Sequence, residues 1–216
     1  MTQEVKILSI VGAVTVVILA GAVFLLSGTT TKPSSPNSKA DPKILVRDDS
    51  NKTGSPSAKI TFVEFGDYQC PSCGAAYPVV KEIIGIYGDK LRFVFRNFPL
   101  PMHPNALPAA EAAEAAGAQG KYWQMYSLLF ENQNQWASLS NPTDKFVEYA
   151  KQLGLDTDKF RKDVEGSKFA NKIQADINDG AGLGVNSTPT FYINGEQMVG
   201  VSSFSNLKSK IDTLLR

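Results

Sequence analysis

The sequence predicts an α/β fold, and three observations carry that expectation. A buried-strand pattern, a long helix pattern and a second strand follow one another between residues 60 and 95. Residues after about 103 read as one helical segment after another, and the chain then closes strand, strand, helix. The two cysteines stand where the first strand gives way to its helix. The order β-α-β, helical block, β-β-α lets both halves share one sheet with helices on its two faces, the helical block being an insertion. At 216 residues the chain is long enough for one such domain and further segments. Its net charge of +1 gives no basic or acidic bias toward nucleic acid.

The elements follow in order. Residues 1–6 form a short tail. Ile7 to Leu26 carries no charge, and only Ser9 and Thr15 are polar. At about 1.5 Å per residue this spans a hydrocarbon layer roughly 30 Å thick. We read 7–27 as a single N-terminal transmembrane anchor, since a signal peptide's apolar stretch is about 7–15 residues. Counting only Lys6 against Lys32, Lys39, Lys43 and Arg47, the positive-inside rule would hold the large domain in the cytoplasm. That rule weakens for long translocated domains, so the expectation is a cell-membrane protein with its domain on the extracytoplasmic face. Residues 28–57 read as a polar linker, with a short edge strand at Ile44-Leu45-Val46. The two Asn-X-Thr/Ser matches at Asn51 and Asn186 decide nothing.

The globular domain is expected over 58–216. Ile60 to Phe65 and Leu91 to Phe95 are the parallel strands of a βαβ unit. Between them Ala76, Val79, Val80, Ile83, Ile84 and Tyr87 recur at helical spacing, with Pro78 inside the helix. The insertion, about 103–183, begins with an alanine-rich helix from Pro108 to Ala116. Tyr122, Tyr126 and Phe130 then share a face, and helical patterns follow over 143–153, 156–164 and 168–177. Thr190–Ile193 and Gln197–Val199 flank Asn194-Gly195, a favoured two-residue hairpin turn. An amphipathic helix, Phe204 to Leu215, ends the chain. Gly180 to Gly184 leads toward a strand rather than opening a helix, so it is not a phosphate loop.

Cys70-Pro71-Ser72-Cys73 holds the only cysteines of the chain. Proline suits the first position inside a helix, which makes Cys70 the N-cap. There unpaired backbone amides and the helix dipole favour a thiolate. Cys73 lies on the same side of the first turn, close enough for a disulfide. The pair reads as a redox dithiol. Zinc needs four ligands, and the chain offers two sulfurs and one imidazole, His103, in a proline-rich loop where its default role is not catalytic. A Cu(I) site on the two sulfurs is a rival reading. Glu64 alternates onto the apolar face of its strand, where its carboxyl would be partly desolvated and raised in pKa.

Taken together these residues resemble the DsbA-like thiol-disulfide oxidoreductases. The resemblance rests on Val63 to Cys73, on Phe95-Arg96-Asn97-Phe98-Pro99-Leu100 with His103-Pro104-Asn105-Ala106, and on Gln119-Gly120-Lys121-Tyr122-Trp123. Leu128-Leu129-Phe130, Ser187-Thr188-Pro189-Thr190-Phe191 and Ile193-Asn194-Gly195 extend it. It implies a thioredoxin-like fold with a helical insertion. Cys70 is then the attacking cysteine, Cys73 the buried resolving one, and Glu64 the acid assisting proton transfer. Pro189 is then a cis-proline opposite the disulfide, with Thr188 contacting substrate. It also implies reduced protein substrates, a membrane quinone-linked thiol oxidase for re-oxidation and no cofactor, the dithiol carrying the electrons. A substrate thiolate would attack Cys70, and Cys73 would resolve the mixed disulfide, giving its proton to Glu64. Ser72 stands where the best-known member has histidine, which points to a potential between about −120 and −270 mV. A reductase or isomerase of the same fold is the alternative within the family.

Overall fold

The computed structural model describes residues 39–198 and 204–216. The expected anchor at 7–27 and Val199 of the last strand lie outside the described residues. Among the described residues no helix is long and apolar enough to cross a membrane.

Five strands form one mixed sheet in the order β1-β3-β2-β4-β5. They are β1 (Asn51–Gly54), β2 (Ile60–Gly66), β3 (Leu91–Asn97), β4 (Thr190–Ile193) and β5 (Glu196–Met198). The expected parallel pairing is present between β2 and β3, with Phe62 opposite Phe93 and Glu64 opposite Phe95. β4 runs antiparallel on the other side of β2, placing Phe191 beside Glu64. Strand β2 is therefore central. Its nearly continuous burial reflects cover on both faces. Phe62, Phe93, Phe95 and Phe191 point into the larger core, while Val63, Phe65, Val94 and Tyr192 point into the smaller one. The Phe62 ring lies 5.5 Å from Phe93 and 5.4 Å from Phe191. The last two strands join through Asn194 and Gly195, whose φ of 47° and 85° is the double-positive turn expected of that pair.

Among the described residues the first helix, α1 (Pro42–Leu45), overturns the expected edge strand at 44–46. Asp41 accepts a bond from the Lys43 amide at 2.8 Å, and Pro42 pre-sets the first turn. The Ile44 and Leu45 carbonyls then accept the Arg96 guanidinium at 2.5 and 2.9 Å. Capping and this buried acceptor outweigh the β preference of Ile-Leu-Val. The sheet edge is instead β1, four residues within the stretch read as linker, paired antiparallel with β3.

Helix α2 (Pro71–Tyr87) runs behind β2 and keeps Pro78 within it. The insertion comprises α3 (Ala106–Gly117), α4 (Tyr122–Glu131), α5 (Gln133–Trp136), α6 (Thr143–Gln152), α7 (Thr157–Glu165) and α8 (Ala170–Gly182). The expected helices are all present. Only the short α5 was not anticipated, and α8 runs on through Gly180. The aromatic stripe of α4 is core: the Tyr126 ring packs 5.1 Å from both Phe95 and Phe130. Helix α9 (Phe204–Leu215) closes the larger core with Leu207 and Ile211.

A buried polar seam ties the insertion to the sheet. Arg96 is fully buried and bonds Asp176 at 2.6 Å and Asp179 at 2.5 Å. Arg47 joins the same two acids at 3.2 and 3.1 Å. Residues just before the sheet are thus locked to α8.

Candidate functional site

The end of β2 and the start of α2 put the two cysteines at the edge of the larger core. Cys70 is the N-cap of α2, with Pro71 at its first position, as the dipeptide spacing predicts. Both cysteines are free thiols. Cys73 is fully buried, and Cys70 is 6% exposed. The Asp67 amide points at the Cys73 sulfur from 3.5 Å. Opposite them the Thr188–Pro189 peptide is cis, as the resemblance implied. The Cys70 thiol donates to the Thr188 carbonyl at 3.5 Å.

The two sulfurs have opposite acidities. Cys70 is lowered to about 5, first by its hydrogen bond from Cys73 and then, against the cost of burial, by Thr188 and the amides of Cys73 and Ser72. No amide makes a full capping bond to the neutral thiol. The amides act on the charge once it forms, through their dipoles. The Thr188 hydroxyl has no partner while Cys70 is a thiol, so it is free to turn toward a thiolate. Burial pushes Cys73 well above its ordinary value, and its bond to Cys70 and the nearby Glu64 push it further. A thiolate at Cys70 stabilised by a proton held on Cys73 is the arrangement of a dithiol ready for exchange.

Glu64 lies where strand alternation places it. Its carboxyl is 1% exposed, and Oε2 has no hydrogen-bond partner. Burial, then the charge of Cys70, pushes it up to about 8. An acid with that value is protonated at neutral pH and can give or take a proton beside the buried sulfur.

Two residues to which the sequence reading gave no part in the site, Asp67 and His103, complete the turn. Asp67 is buried, and its Oδ1 accepts the amides of Gln69 at 2.7 Å and Cys70 at 3.2 Å. Its Oδ2 accepts the Leu100 amide at 2.9 Å and meets His103 Nδ1 at 2.6 Å. The loop histidine therefore braces the cysteine turn through Asp67. An acid three residues before the cysteine was the available signal, since Asx side chains bond amides two or three residues on. The partner 36 residues away left no local trace. Among the described residues no group of three His, Cys, Asp or Glu side chains is placed to hold a metal.

A family model described as thioredoxin matches residues 48–213. A thioredoxin-like oxidoreductase from Silicibacter pomeroyi is 28% identical, with a TM-score of 0.68 over 81% of this chain and 97% of that one. Alpha-DsbA1 of Wolbachia pipientis is 25% identical, with a TM-score of 0.70 over 79% of this chain and 92% of that one. BdbD of Bacillus subtilis, 23% identical with a TM-score of 0.69 over 82% and 96%, shares the fold. A protein named Na(+)/H(+) antiporter NhaA 1 from Salinispora arenicola is 41% identical over 160 residues, which are 73% of this chain and 24% of that protein. The chain thus spans about a quarter of the curated relatives it matches.

Proposed function

This chain belongs to the thioredoxin family, and we propose that it is a thiol-disulfide oxidoreductase that runs in the oxidising direction, donating the Cys70–Cys73 disulfide to reduced proteins outside the cytoplasm. The observation that carries the proposal is the pairing of a nearly buried sulfur of lowered pKa, held at the Thr188 carbonyl, with a fully buried sulfur of raised pKa that feels a protonated Glu64.

A substrate thiolate attacks Cys70 Sγ, the Cys70–Cys73 bond breaks, and Cys73 leaves as a thiolate that takes the Glu64 proton. The substrate's second thiolate attacks its own sulfur in the mixed disulfide, and Cys70 departs as a thiolate. The substrate gives two electrons to the Cys70–Cys73 disulfide and gains a disulfide of its own, and the protein ends as a dithiol. In this direction the substrate ends the mixed disulfide. Cys73 resolves it only in the reverse reaction, handing its proton to Glu64, so its resolving role belongs to the escape route. The cis Thr188–Pro189 peptide stands at this sulfur through the Thr188 carbonyl, and in this reading the incoming chain contacts the protein at Thr188.

A Cys70 value of about 5 lies between about 3.5 and about 7, the thiols of the strong oxidant and of thioredoxin. That supports a potential inside the interval of about −120 to −270 mV, between the strong oxidant and thioredoxin. Re-oxidation would fall to a quinone-linked membrane thiol oxidase, and the apolar stretch 7–27 would hold the domain beside it on the extracytoplasmic face. Equilibrating the chain with glutathione tests the direction. A potential below about −250 mV would make it a reductase instead. Cys73→Ala should accumulate mixed disulfides through Cys70, and equal trapping by Cys70→Ala would reverse the assignment.

A further inference from the structure

The turn that carries Cys70 is held from outside by Gln133, the first residue of α5. Its Nε2 donates to the Tyr68 carbonyl at 2.8 Å and to the Cys70 carbonyl at 2.9 Å. Two carbonyl acceptors fix which end of the amide faces the turn, because only nitrogen can donate. The Cys70 carbonyl also accepts the Gly74 amide at 3.0 Å, the first rung of α2. The other end of the same amide lies over Gly74, where a Cβ would sit 2.6 Å from Gln133 Oε1.

Gly74 is otherwise hard to explain. It stands inside a helix, where glycine is about 1 kcal/mol less favourable than alanine. Its φ is not in the left-handed region that glycine alone enters readily. What its missing side chain does is leave room for the glutamine amide.

We propose that Gln133 is a positioning residue for Cys70, and that residue 74 is glycine so that this amide can reach the Tyr68 and Cys70 carbonyls. Both oxygens carry partial negative charge within a residue or two of the Cys70 sulfur. Two N–H bonds turned onto them offset that charge, which favours the thiolate. They also fix the Cys70 backbone, at φ −66° and ψ 123°, that aims the sulfur at Thr188. The inserted helices thereby tune a dithiol that sits on the sheet and α2. The inference rests on Cys70 being the attacking thiolate of the proposed function.

The test uses the full chain and three variants: Gln133→Met, which keeps the length and removes the donor, Gly74→Ala, which displaces it, and the pair combined. Thiolate absorbance near 240 nm gives the Cys70 pKa, and equilibration with glutathione gives the redox constant. Each single variant should raise the Cys70 value by about one pH unit and make the disulfide about tenfold harder to donate, which is about 30 mV for two electrons. The double variant should shift no further than either single one, because both remove the same contact. Urea unfolding of Gly74→Ala beside the wild type separates a shift at the thiol from a loss of fold, since the three atoms nearest the new Cβ all belong to the end of the Gln133 side chain. Wild-type values in the single variants, or additive shifts in the double, would overturn the inference. If Gln133→Met fails to fold, Gly74→Ala decides alone, an unchanged pKa and potential counting against it. An ordinary Cys70 value in the unaltered chain would instead strike the proposed function, which keeps the two failures apart.

Discussion

Glutamine at position 64 should make the dithiol form more stable at pH 8 while leaving it about as stable at pH 4.5. The Glu64 carboxyl rises from 4.5 to about 8 on folding, with burial the larger cause and the Cys70 charge the smaller. Between those values the folded chain keeps the proton and the unfolded chain has lost it. The unfolded state then binds fewer protons, so stability declines as pH climbs through this window and levels off above it. At about 1.4 kcal/mol per pH unit the interval sets a ceiling of about 5 kcal/mol. Part of it depends on Cys70 being charged, so about 2–4 kcal/mol is expected for Glu64→Gln at pH 8. Cys70 contributes a slope of opposite sign: its folded value is depressed to about 5, so its stabilisation grows as pH rises from there toward 9. The quantity to measure is therefore the difference between wild type and Glu64→Gln in urea unfolding of the reduced chain, from pH 4.5 to 8.5. A difference that widens with pH fits the buried neutral acid. Parallel profiles would refute it.

Two further substitutions probe the frame that holds the site. Arg96→Met removes the cation from two acids and two carbonyls, leaving buried Asp176 with the Arg47 cation at 3.2 Å and the Asn97 amides. Breaking one side of a buried pair costs about 3–5 kcal/mol, and a denaturation loss below about 1 kcal/mol would contradict the seam described here. Gly180→Ala would place a Cβ 2.7 Å from the Phe98 ring and 3.0 Å from Phe65. A loss of about 1–3 kcal/mol is expected in thermal unfolding despite alanine's better helix propensity, and a gain would show that the rings have room to move.

What the sequence made legible was whatever short-range periodicity or local backbone chemistry controls. Alternation put Glu64 on the apolar face of β2, and the structure finds it there, buried beside Phe95 and Phe191. Proline after Cys70 marked the helix start, and Asn194-Gly195 marked the hairpin. The misreadings arose where distant groups decide. Ile44-Leu45-Val46 looks like a strand by composition, yet Asp41, Pro42 and the guanidinium of Arg96, more than 50 residues away, hold it as a helical turn. Asn51–Gly54 looks like linker because its strand character comes from the bonds β3 offers, not from its own side chains. Four-residue α5 is too short to show a period, which hid Gln133. The Asp67–His103 contact spans 36 residues and leaves no spacing to read.

The chemistry of this chain turns on the Cys70 sulfur. Reduced chain titrated by thiolate absorbance, against Cys70→Ala as the blank, should give a midpoint of about 5. A midpoint near about 8.5, that of an unperturbed thiol, would contradict it and leave the disulfide no drive to be given away.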